Sequence, residues 1–272
     1  MPELAEIKIM SEYINNVCEG EDFTSISVSP EVSKRLSLIQ PTELQIFSIS
    51  AQSRGKELLL TLKSGINEYK LSVAMGMSGH WALADSWDSP KHTHLKFNTV
   101  SGRSLCLIDA RRFARWKWVS AWSKNRGPCP VAEKALFIEN VLNNLNRAKF
   151  KKPIHLLLMD QQYFNGIGNY LRAEILFRAD QDPFEAANTA LINNPKILEL
   201  CHQVPLEAYV IGGGQLKDWS NPFDVPPDGF EQWIRCYGRS ECSIVDKNGR
   251  TFWWHPSQVK NLKPHINESH QA

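Results

Sequence analysis

The segment 160-DQQYFNGIGNYLRAEILFRAD-180 decides how the rest of the chain is read. Gly166 and Gly168 make a tight turn between two stretches of helical periodicity, and Asn169 opens the second. Backbone amides at a helix N-terminus, joined by an Asn side chain, form a ready site for a phosphate group. Many helix–helix turns use glycine, so the two glycines alone would say little. The weight rests on the whole string.

Working outward, the pattern around this segment is helical: EKALFIENVLNNLN, PIHLLLMDQQ, NYLRAEILFRAD and KILELCHQV each space their apolar residues for one helix face. Gly212, Gly213 and Gly214 then interrupt, followed by the Pro-rich NPFDVPPDG. Towards the N-terminus the period changes. From about residue 23 to 119 the chain offers short runs such as FTSISVS, LQIFSIS, ELLLTL, YKLSVAM, HLKFNTV, SLCLI and RFARWKWV, punctuated by Gly, Pro, Ser and Asn. That spacing favours a β-sandwich or barrel. The first helix is earlier still: Leu4, Ile7, Met10, Ile14 and Val17 recur at three- and four-residue steps. The expectation is an α+β protein. An N-terminal helix and β-sandwich domain (1–120) leads through a Gly/Pro-bearing connection (121–132) to a helical domain with a terminal β-hairpin (133–272).

A chain of 272 residues, 42% hydrophobic and 22% charged, can bury a sizeable core. Its net charge of +2 says little about partners. The distribution says more: between Ser101 and Arg126 lie Arg103, Arg111, Arg112, Arg115, Lys117, Lys124 and Arg126, against one acid, Asp109. A second cluster, 147-RAKFKK-152, follows. Such runs are usually solvated surface, and a local excess of this size is also what a phosphate-binding face needs. The six cysteines show no CxxC and no regular spacing, which fits reduced thiols in a reducing compartment. MPELAEIKIM carries acids where a signal peptide has bases, and no apolar run approaches a membrane span. An intracellular protein without a membrane anchor is expected.

Pro2 has a chemical reading of its own. Removal of Met1 would expose a secondary amine, and an α-amino group titrates at about 7.7–8.0, so part of it is unprotonated near neutrality. Such an amine can attack a carbon at the aldehyde oxidation level and form an iminium. Alone, a proline here is more simply a tolerated first residue of a helix. Together with the 160–180 string it is more, because the two resemble the helix–two-turn–helix motif and the Met-Pro-Glu start of the Fpg/Nei DNA glycosylases.

The resemblance implies roles for particular residues. Pro2 would be the nucleophile at C1′ of the damaged nucleotide, Glu3 would protonate the opening sugar ring or relay protons, and Glu6 would support the helix start. Ala5 stands where the family has a proline. Lys56, in 53-SRGKELLL-60, matches the family's active-site lysine. Met77 in 76-GMSG-79 and Arg111 with Phe113 in 109-DARRFARW-116 match the residues that fill the space left by an everted base. An apolar wedge, a stacking aromatic and a guanidinium suit that task. Asn169 would contact phosphate. In the loop 212–217, relatives carry a basic residue that touches the everted base, whereas this chain has Gly214-Gln215 with Lys217 beyond. His92 and His94, in KHTHLKF, could contact phosphate, with strand-surface histidines the easier account.

The last motif is 235-RCYGRSECSIVDKNGRTFWWHP-256. Cys236, Cys242 and His255 suggest a zinc finger, but C-x5-C is too wide, and His255 to His265 leaves nine residues where three to five are needed. No metal site and no cofactor are expected. Asn248-Gly249, between CSIV and RTFWW, is a strong two-residue hairpin turn and puts Lys247 and Arg250 at its tip. By resemblance this hairpin, about 233–256, is the zincless finger of the endonuclease VIII-like 1 subgroup, and Arg250 is its phosphate clamp. The expected function is a bifunctional glycosylase/AP lyase excising oxidised pyrimidines, formamidopyrimidines or hydantoins through a proline Schiff base with β,δ-elimination. The partner is damaged DNA, bound by a monomer, in the nucleus of a eukaryote or otherwise in the cytoplasm. The alternative is a catalytically silent damage-binding protein of the same fold.

Overall fold

The apolar stripe at the start of the chain becomes the inner face of helix α1 (Leu4–Cys18), with Leu4, Ile7, Met10 and Ile14 buried and Val17 half-buried at its margin. The computed structural model describes residues 2–36, 38–214, 223, 228–246 and 249–259. Met1, Gln215, Lys217, Lys247, Asn248 and His265 lie outside them.

Eight short strands follow α1: β1 (Phe23–Val28), β2 (Ser48–Arg54), β3 (Glu57–Ser64), β4 (Asn67–Ala74), β5 (His80–Ala84), β6 (Thr93–Thr99), β7 (Ser104–Ile108) and β8 (Arg115–Val119), with a single-turn helix α2 (Pro30–Ser33) after β1. They form two antiparallel four-stranded sheets, in the orders β1-β6-β7-β5 and β2-β3-β4-β8. Alternate residues of both sheets, among them Leu60, Leu71, Phe97 and Leu107, share one core with the outer turns of α1. The β-sandwich expectation holds. Two details differ. LQIFSIS starts its ladder only at Ser48, because Phe47 instead bridges Phe23 and stacks on its ring at 5.9 Å. β5 is a short strand with two alanines, so its packing against β7 decides it more than its own propensity.

The second half contains α3 (Lys134–Leu142), a 3₁₀ turn (Ala148–Lys151), α4 (Ile154–Leu157), α5 (Asn169–Arg178), α6 (Ala187–Asn193), α7 (Lys196–Val210) and α8 (Gly229–Trp233), then the hairpin of β9 (Cys242–Val245) and β10 (Thr251–Trp254). The helix expected over PIHLLLMDQQ is a single turn, because Asp160 ends it: its carbonyl accepts Phe164 N–H and its carboxylate accepts Gln162 N–H. α7 runs further than KILELCHQV, past Pro205, whose ring packs into the core in place of a hydrogen bond. Among the described residues no helix is long and apolar enough to cross a membrane.

α1 belongs to both halves. Leu4 and Ala5 pack with the helical core, while Ile7, Ile9, Met10, Ile14 and Cys18 pack with the sandwich. The N-terminus is thereby inserted where the two cores meet.

Candidate active site and nucleic-acid interface

Three segments converge on the start of α1. Leu4 N–H donates to Gly166 O (3.1 Å), tying the N-terminus to the turn before α5. Glu3, 2% exposed, caps α1, and its own N–H donates to Glu6 Oε2 at 2.7 Å. The Glu3 carboxylate reaches across to α5, where Oε1 accepts Tyr170 N–H (3.0 Å) and Oε2 accepts Leu171 N–H (3.3 Å). Gly168 permits this approach, since a Cβ there would stand 2.3 Å from Glu3 Oε1. The third segment is the β2–β3 turn, from which Lys56 Nζ donates to Ile167 O at 3.0 Å.

The electrostatics follow from this packing. Burial pushes the Glu3 carboxyl up from 4.5 to about 7, with the Lys56 charge opposing and the Glu6 charge reinforcing the rise. Burial also lowers the Lys56 ammonium, against the pull of Glu3. Within one site, burial thus raises the proton affinity of a carboxyl and lowers that of an amine. Pro2 is buried immediately before Glu3.

Sequence reasoning assigned the α5 N-terminal amides to a phosphate; the structure gives two of them to Glu3. Asn169 is also engaged within the protein, its Nδ2 donating to Thr251 O of β10 (2.8 Å) and its Oδ1 accepting from Arg172 (2.6 and 3.0 Å). Glu6 does more than support a helix start: Oε1 accepts the Tyr170 hydroxyl (2.9 Å) and Gly214 N–H (2.7 Å), fastening the glycine loop to the site.

The hairpin hangs from α5 through charges that sequence reasoning passed over. Arg172, fully buried, pairs with Asp246 (3.2 Å), donates to His155 O, and lies over the Phe252 ring at 4.8 Å. Asp246 in turn accepts Arg250 N–H (3.1 Å), so Asn169 and the exposed Arg250 are linked through one buried ion pair. Glu174 accepts the N–H groups of Arg235, Cys236 and Tyr237. The available signal was an Arg and a Glu inside the apolar NYLRAEILF, and nothing in periodicity tells a buried ion from a solvated one.

Around the hairpin, Cys236 is buried with its thiol pushed up to about 12, and the His255 ring nitrogen accepts Ser257 N–H at 3.2 Å. Among the described residues no group of three or more His, Cys, Asp or Glu could hold a metal. Phe252, 1% exposed and stacked on His155 at 4.8 Å, packs the hairpin onto the helical core.

Met77 and Phe113 are exposed, at 42% and 44%, on the loops after β4 and before β8. The Arg111 guanidinium lies 4.9 Å from the Phe113 ring centroid. His94 is not a surface residue: it is 2% exposed, with Nδ1 against Ser29 Oγ (2.9 Å) and Nε2 against Asp109 O (3.0 Å). A β6 side chain at that register faces the neighbouring loop rather than solvent. His92 is exposed in a left-handed turn (φ 66°) just ahead of the strand.

Comparison with known proteins places this arrangement. The formamidopyrimidine-DNA glycosylase N-terminal domain matches residues 1–116. Endonuclease 8-like 1 of Homo sapiens is 38% identical, over 93% of this chain and 72% of its own length. Formamidopyrimidine-DNA glycosylase of Marinobacter nauticus is 30% identical over 91% of this chain and 92% of its own. Among solved structures, MutM (Fpg) protein of Thermus thermophilus superposes with a TM-score of 0.76 at 25% identity, covering 94% of this chain and 98% of that one. MutM in complex with DNA containing carbocyclic 8-oxo-G superposes with a TM-score of 0.76 at 22% identity, over 96% of this chain and all of that one.

Proposed function

The chain belongs to the Fpg/Nei family of DNA glycosylases, and from that premise we propose that it is a bifunctional DNA glycosylase/AP lyase of base excision repair working through the amine of Pro2. One observation carries the reading: the start of α1, the Lys56 turn and the N-terminus of α5 meet at Glu3, whose carboxyl is pushed up to about 7.

After loss of Met1, the Pro2 nitrogen attacks C1′ of the damaged nucleotide. Glu3 in its protonated form delivers a proton to the opening sugar ring, and the base leaves with the glycosidic electron pair. The resulting iminium acidifies the neighbouring sugar protons, so β- and then δ-elimination expel the two flanking phosphates. Hydrolysis of the enzyme adduct returns the amine. Lys56, whose proton affinity burial lowers, would exchange protons with Glu3.

DNA would lie along the basic 101–126 segment and across the 166–169 turn, with Arg250 on a phosphate and Met77, Arg111 and Phe113 in the gap left by the everted base. The hairpin serves as a zincless finger, supported by its packing through Phe252 and Arg172. Oxidised pyrimidines, formamidopyrimidines and hydantoins are the proposed substrate class, and the monomer is the proposed functional unit.

Borohydride trapping on duplex DNA containing thymine glycol or an abasic site tests the mechanism. A covalent adduct that maps to residue 2 is expected. Protein that begins at Pro2, binds this DNA and gives no adduct would be the catalytically silent damage binder instead.

A further inference from the structure

The 101–126 segment holds a single acid among its bases, and that acid is buried. Asp109 is fully inaccessible just after β7, and its carboxylate accepts four hydrogen bonds. Three come from its own loop: Arg111 N–H (3.2 Å, to Oδ1), Phe113 N–H (2.6 Å) and Ala114 N–H (2.7 Å), the last two to Oδ2. The fourth comes from the other exposed loop, where Ser78 Oγ donates to Oδ1 at 2.5 Å. Ser78 follows Met77 directly.

The Asp109 backbone is pinned as well, its N–H donating to His92 O (3.0 Å) and its O lying against His94 Nε2. The two loops also touch without a side chain between them: a Cβ on Gly76 would stand 2.7 Å from the Phe113 backbone carbon. Between the anchored amides, Arg112 takes φ 56°, a conformation that an arginine keeps only when its surroundings impose it.

From this geometry we infer that Asp109, through Ser78, locks the Met77 loop and the Arg111–Phe113 loop into one preformed wedge, so that Asp109 is a positioning residue for base eversion. The inference rests on the glycosylase reading above. Separate flexible loops would have to be ordered as they enter the duplex, and that loss of freedom would oppose insertion. A wedge already fixed at both bases enters as a unit. The lock matters only when there is a stacked, paired base to displace. An abasic site in a single strand needs no wedge.

The test compares wild type, Ser78→Ala and Ser78→Thr under single-turnover conditions on two substrates, thymine glycol paired in duplex DNA and an abasic site in a single strand. Ser78→Ala removes the bond between the loops at a half-buried position, and its melting temperature is measured beside wild type. A hydrogen bond to a carboxylate being lost, excision from duplex is expected to slow roughly ten-fold or more, with cutting of the single strand unchanged and Ser78→Thr, which keeps the hydroxyl, close to wild type. Equal slowing on both substrates, or no slowing on the duplex, overturns the lock. Failure of wild type to cut either substrate would refute the glycosylase reading itself and the inference with it.

Discussion

The two parts of the candidate interface are built in opposite ways. The carboxylates of Glu3 and Glu6 are buried and bonded to α5 and the glycine loop, far away in sequence, and the half-buried Lys56 is tied to Ile167 O beside them. At the Met77 and Phe113 loops the side chains proposed to enter DNA stand in solvent, and what is buried is the carboxylate of Asp109 that holds their backbone. Groups that exchange protons need a dry, fixed environment that shifts their proton affinity. Groups that enter DNA need exposure before binding, so their order has to come from behind.

The largest effect should come from the buried part. Retaining Met1, or acetylating the amine of Pro2, should abolish trapping and strand cutting while binding to abasic-site DNA persists, read by gel shift beside the trapping assay. Loss of binding together with trapping would mean that the N-terminus holds DNA rather than reacting with it.

Next is the ion pair behind the hairpin. Replacing one partner of a buried pair leaves an uncompensated charge, so Arg172→Met or Asp246→Leu should lower unfolding stability by about 3–5 kcal/mol. Denaturant titration reads this, and the double substitution should recover much of the loss.

Glu3 should cost stability where it ionises. The folded protein holds this proton more tightly than the unfolded chain, so stability falls as pH rises from 4.5 to about 7 and stays reduced above it. Glu3→Gln should therefore be more stable than wild type at pH 8, by up to about 3 kcal/mol, and the advantage should vanish near pH 4.5. Excision by wild type should decline as pH rises through about 7, where Glu3 loses its proton. A stability difference independent of pH would mean that the carboxyl is not held protonated.

On the exposed side effects are smaller. Arg250→Ala should weaken DNA binding and reduce the slope of log affinity against log salt by about 1, without changing the trapping rate at saturating protein. Smallest of all is the effect of chelation: EDTA should leave the melting temperature and activity unchanged, and a fall in either would point to a metal in the hairpin.

The legible part of the fold was periodic. α1, most of the strands, α5 and the hairpin strands follow from apolar spacing and turn residues. HWALA escaped because two alanines carry little strand propensity, and PIHLLLMDQQ overran because the Asp160 turn that ends α4 depends on side-chain and carbonyl bonding beyond periodicity. The candidate site residues could be named one by one through motif resemblance, and their roles are proposals. Their wiring was not: Arg172, Glu174 and Asp109 look like surface charges in the sequence and are buried acceptors or donors in the fold.

The sequence by itself determined the residue chemistry, the helical and extended segments and the family resemblance, because these depend on local spacing and on strings within one segment. Only the tertiary structure decided that the amides at the start of α5 hold Glu3, that Asn169 and Arg250 are linked through the buried Arg172–Asp246 pair, and that Ser78 ties one exposed loop to the next. A hydrogen bond between residues tens of positions apart leaves no period in the chain, and the proton affinity of a carboxyl is set by what surrounds it after folding.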